Sequence, residues 1–64
     1  MNVHNKVFEK ILDLIRKERA ITTSELAEYL NVSWNTAEKY LLELTIEGKL
    51  ARIKKKGVNL WLMK

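Results

Sequence analysis

The chain has no cysteine, and its one histidine, His4, stands near the N-terminus. Disulfide staples and His/Cys metal clusters are therefore excluded, and His4 reads as a solvated side chain, not a catalytic base. A lack of cysteine also fits a reducing compartment. There is no proline and only two glycines, Gly48 and Gly57. No stretch reads as a linker, a repeat or a low-complexity segment, so residues 1–64 are taken as a single domain. No apolar run approaches the roughly 20 residues that a membrane span needs. Met1 to Lys6 is too polar for a secretory leader, so a cytoplasmic location is expected. A Gly-rich phosphate loop, a nucleophile elbow and a metal-ligand spacing are missing as well. Glu9, Asp13, Glu18, Glu25, Glu28, Glu38, Glu43 and Glu47 fall as helix-surface groups or caps and form no convergent acid pair. So short a chain leaves little room for an enclosed pocket. No enzyme activity, cofactor, metal or small-molecule ligand is expected.

Acids are also absent from residues 49–64, where Lys49, Arg52, Lys54, Lys55, Lys56 and Lys64 give a charge of +6. In residues 1–48 the other six bases face eight acids, so that part carries −2 and the whole chain +4. Charge segregated in this way points to a polyanionic partner at the C-terminal end; the bland alternative is a solvated lysine hairpin. A 64-residue chain buries only about 60% of its unfolded surface, so tight packing or oligomerisation must support it.

What is present centres on Thr22 to Leu50. Thr22 reads as an N-cap, with Glu25 three residues on to complete a capping box and Ile21 and Leu26 as the hydrophobic staple. Leu26, Ala27 and Leu30 share one face of the helix that follows (α2), which must stop near Leu30. Asn31 suits a left-handed helix end, Val32 plugs the angle, and Ser33 caps the next helix. That helix (α3) turns Ala37, Tyr40, Leu41 and Leu44 inward and ends at Gly48. Upstream, a helix from about Val3 or Asn5 to Arg19 (α1) carries the stripe Val7, Phe8, Ile11, Leu12 and Ile15. Val3 and Leu14 widen the stripe: either the hairpin covers them, or helix α1 pairs with a second copy. Ala20-Ile21 is a bridging strand (β1). After Gly48 the period becomes two: Leu50 to Lys54 (β2), a turn at Lys55-Lys56-Gly57, and Val58 to Met63 (β3). Val58, Leu60 and Leu62 are expected to face the core, with Asn59, Trp61 and Met63 outward.

Two capped helices around a three-residue turn make a helix-turn-helix. The segment resembles the core of the winged helix-turn-helix superfamily found in small bacterial and archaeal transcription regulators. The matching marks are Glu25-Leu26-Ala27, Asn31 where the family usually has glycine, Val32-Ser33, Ala37, Leu41, Leu44 and the exit Glu47-Gly48-Lys49-Leu50. The likeness extends from about Val7 to Met63. It implies an α+β, mostly α fold in the order α1-β1-α2-α3-β2-β3, with three helices and a small antiparallel sheet.

The resemblance further implies binding of double-stranded DNA, with α3 in the major groove and the β2–β3 hairpin, the wing, on the backbone. The outward face of α3 centres on Asn35, Lys39 and Leu42, flanked by Trp34, Thr36 and Glu38. Asn35 suits adenine, Lys39 guanine or phosphate, and Thr36 phosphate. Trp34 and Asn35 stand where family members often carry arginine, and Trp34 either contacts DNA or packs on its own domain. Glu38 weakens non-specific binding unless it accepts from cytosine. Thr23, Ser24 and Ser33 at helix starts are further phosphate donors. Arg52, Lys54, Lys55 and Lys56 supply the wing; four such contacts give a log–log salt slope of about −3.6. Leu42 and Ile46 point outward, either under the wing or as a partner surface. A protein-interaction module using Leu42, Ile46 and Trp61 is the alternative function, and a homodimer through Val3, Val7 and Leu14 the expected assembly.

Overall fold

The computed structural model describes residues 3–64, with side chains from Lys6 onward. Roles considered for Val3 and His4 therefore lie outside the described side chains. The element order is α1 (Val3–Glu18), β1 (Ala20–Thr22), α2 (Thr23–Leu30), α3 (Trp34–Ile46), β2 (Leu50–Lys55) and β3 (Val58–Met63). This is the winged helix-turn-helix arrangement expected. The three-stranded sheet runs β1-β3-β2 and is antiparallel throughout.

Local chemistry explains each boundary. Arg16 and Lys17 occupy the last turn of α1, where positive charge suits the helix dipole. Arg19 then turns left-handed at φ 77° and releases the chain into β1. At the start of α2 the Thr22 hydroxyl accepts from the Glu25 N–H at 3.1 Å. The Glu25 carboxylate accepts from the Thr22 N–H at 2.8 Å, completing the box. Asn31 ends α2 in the left-handed region (φ 57°, ψ 48°). Its amide short side chain makes it the best tolerated non-glycine residue there. Gly48 ends α3 at φ 83°, with its N–H donating to Thr45 O and the Lys49 N–H to Leu44 O. Those two bonds form a Schellman motif and satisfy carbonyls the helix leaves orphaned.

The core gathers Phe8, Ile11, Leu12, Ile15, Ile21, Leu26, Ala37, Leu41, Leu44, Leu50 and Trp61. Val7, Leu14, Val32 and Tyr40 pack against it in part, and the Phe8 and Tyr40 rings meet edge to face at 6.0 Å. Each large aliphatic side chain withdrawn from water contributes about 1.5–3 kcal/mol.

Two expectations about the hairpin need correction. The turn is Lys56-Gly57, not Lys55-Lys56-Gly57, because Lys55 pairs with Val58. Both turn residues have positive φ, 51° and 80°, the signature of a two-residue type I′ turn. The inward face of β3 is also the opposite of the one expected. Trp61 is fully buried and Met63 packs on the core, whereas Val58 is exposed. The reason is a specific fit: Trp61 fills the largest buried volume, and its Nε1–H donates to Thr23 Oγ1 at 2.9 Å. A large ring with a satisfied N–H outweighs three smaller aliphatic groups.

Candidate nucleic-acid interface

The register sorts the wing into two faces. Leu50, Arg52 and Lys54 pair with Met63, Trp61 and Asn59, so they share the sheet face turned toward the helices. Ala51, Ile53 and Lys55 pair with Leu62, Leu60 and Val58 on the outer face. The four expected wing bases are thus divided. Arg52 and Lys54 lie on the helix side, Lys56 is in the turn, and Lys55 is on the far side. All four are exposed. The Arg52 guanidinium lies 5.9 Å from the Trp61 ring centroid, a cation–π contact that ties the base of the wing to the core.

At the start of α3 the cap leaves donors unused. The Ser33 hydroxyl accepts from the Thr36 N–H at 3.2 Å and donates to Thr36 Oγ1 at 2.9 Å. Ser33 is thereby occupied as a cap, while the Thr36 hydroxyl keeps its own proton to donate. The N–H groups of Trp34 and Asn35 have no acceptor within the helix, as at any helix start. Beside them is a cleft of about 220 Å³ lined by Thr22, Thr23, Ser24, Trp34, Gly57, Val58 and Asn59. It brings together the starts of α2 and α3 and the wing turn. Thr23 cannot add a phosphate contact as expected, because it is buried and its hydroxyl serves Trp61. Ser24 is exposed and free to do so.

Asn35 and Lys39 are exposed on the outward face of α3. Trp34 is half exposed and lines the cleft, so its own domain covers only part of the ring. Glu38, one turn beyond Trp34 on the same flank, has a buried carboxylate oxygen, Oε1, with no hydrogen-bond partner. Further along, Leu42 is 37% and Ile46 84% exposed. Ile46 therefore does not lie under the wing. Trp61 is lost to the alternative interaction surface, being wholly inside. Neither Trp61's place nor its Thr23 bond was legible in advance; a threonine just inside a capped helix gives no sign of serving a distant indole.

Among the described residues no group of acidic or histidine side chains could hold a metal ion, and no helix is long and apolar enough to cross a membrane. Comparison with curated proteins gives no match. A family model, the DeoR-like helix-turn-helix domain, matches residues 8–55, from the core stripe of α1 through both helices of the motif to the end of β2. The chain belongs to the DeoR-like helix-turn-helix family, whose domain is a non-catalytic DNA-binding element of transcription regulators.

Proposed function

We propose that this domain binds duplex DNA with the first half of α3 in the major groove and the wing on the adjacent backbone, as part of a small cytoplasmic transcription regulator. The observation that carries the reading is the cleft joining the starts of α2 and α3 to the wing turn, with Lys54 paired to Asn59 and Lys56 next to Gly57 at its edge, and Arg52 further along the same strand face as Lys54. Asn35 offers an amide for adenine, and Lys39 reaches guanine or phosphate. Ser24, Thr36 and the free N–H groups of α3 hold phosphate, and Trp34 lies against sugar or a thymine methyl. Ser33 acts by capping. Lys55, on the outer face, adds to the general positive field and makes no direct contact. Glu38 lowers affinity for random sequence, which leaves discrimination to the base contacts.

One protomer suffices for this mode. The homodimer expected through Val3, Val7 and Leu14 concerns how many copies act together. Val7 and Leu14 are half-buried against the core, and the surface Leu14 retains opens on the groove between α1 and α2. A second reading, a protein-interaction module, rests on the exposure of Ile46 beside Leu42. The two readings separate by mutation. Reversing Lys54, Lys55 and Lys56 to Glu should abolish DNA binding while leaving the circular-dichroism spectrum intact, since all three are exposed. Leu42→Asp should leave DNA affinity within about threefold. DNA affinity untouched by the triple reversal would remove the wing from the interface.

A further inference from the structure

The groove between α1 and α2 is not used by the DNA reading. It measures about 370 Å³ and is lined by Leu14, Ile21 and Tyr29 together with Glu18, Glu25 and Glu28. Its floor is apolar and its rim acidic, with Tyr29 55% exposed at the edge. Among the described residues the only ion pairs are Arg16–Asp13 and Lys49–Glu47. Glu18, Glu25 and Glu28 therefore make no ion pair within their own domain, and neither do the wing lysines. Such a groove fits a segment that is both apolar and basic. Pairing it with its own symmetry mate would set two acidic rims together, which disfavours a two-fold contact.

The outer face of the wing has the matching chemistry. Ile53 is 49% exposed there, with the exposed Lys55 two residues further along the same face of β2. We propose that the outer wing face of a second copy docks in this groove, Ile53 against Leu14, Ile21 and Tyr29, and Lys55 against Glu18 and Glu28. The contact is heterologous, so each copy keeps one free groove and one free wing, and copies add head to tail. Arg52 and Lys54 stay on the other face. If the DNA reading above holds, neighbouring copies then bind a long duplex side by side and cooperatively.

The test uses the free protein in sedimentation velocity at low salt, without DNA. Two variants remove opposite halves of the contact: Ile53→Asp on the wing and Glu18→Lys with Glu28→Lys in the groove, all at exposed positions. Wild type should associate past the dimer as concentration rises, and physiological salt should weaken this. Each variant alone should stay monomeric with an unchanged circular-dichroism spectrum. An equimolar mixture should form a heterodimer and stop there, because each partner supplies the half the other lacks. A monomeric wild type, a closed dimer indifferent to both variants, or a mixture that stays monomeric would overturn the proposal. None of these outcomes depends on DNA binding.

Discussion

Trp61 and Thr23 show how a single pair orients the wing. The indole N–H and the threonine hydroxyl meet at 2.9 Å in a buried setting, joining β3 to the first turn of α2. Thr23→Val keeps the volume but leaves the N–H without an acceptor, which should destabilise the domain by about 1–3 kcal/mol. For a chain of this size each kcal/mol lowers the melting temperature by about 4–8 °C. Urea denaturation should show that loss with an unchanged slope; a change below about 0.5 kcal/mol would deny the bond its structural role. The same pair explains why the facing of β3 was not legible. Val58, Leu60 and Leu62 alternate with Asn59, Trp61 and Met63, so apolar groups occupy both parities and alternation cannot choose between them. The choice rests on one ring filling one space, a tertiary fact.

At the scale of elements, local rules were informative because the chain follows them closely. The capping box at Thr22, the left-handed Asn31, the Ser33 cap and the Gly48 exit each satisfy backbone groups within a few residues, so their chemistry is written in short stretches. The turn is one residue shorter than the sequence suggests, because three consecutive lysines offer no pattern from which to read register. That one-residue shift has consequences, since it assigns Lys54 and Lys55 to opposite faces of the sheet. On a duplex long enough for only one protomer, Lys54→Ala should lower the magnitude of the log–log salt slope by about 1. Lys55→Ala should leave the slope nearly unchanged. Equal losses would mean that the hairpin twists enough to bring both side chains to one backbone. β2 is also an edge strand, and Arg52, Lys54 and Lys55 guard it against unwanted strand pairing whatever else they do.

Across the whole molecule, charge is divided between a basic hairpin and a mildly acidic helical body. That division was visible in the sequence, but the acidic groove was not, because Glu18, Glu25 and Glu28 come from two helices that only the fold brings together. The sites proposed for DNA and for a second copy occupy different faces of one wing. The most direct measurement of DNA binding is fluorescence anisotropy of a labelled short random duplex, titrated with the protein at a series of salt concentrations. Lys39, Arg52, Lys54 and Lys56 neutralising four phosphates predict a slope of about −3.6, with micromolar or tighter binding at low salt. No binding at low salt, or binding indifferent to salt, would mean that the wing does not hold a DNA backbone.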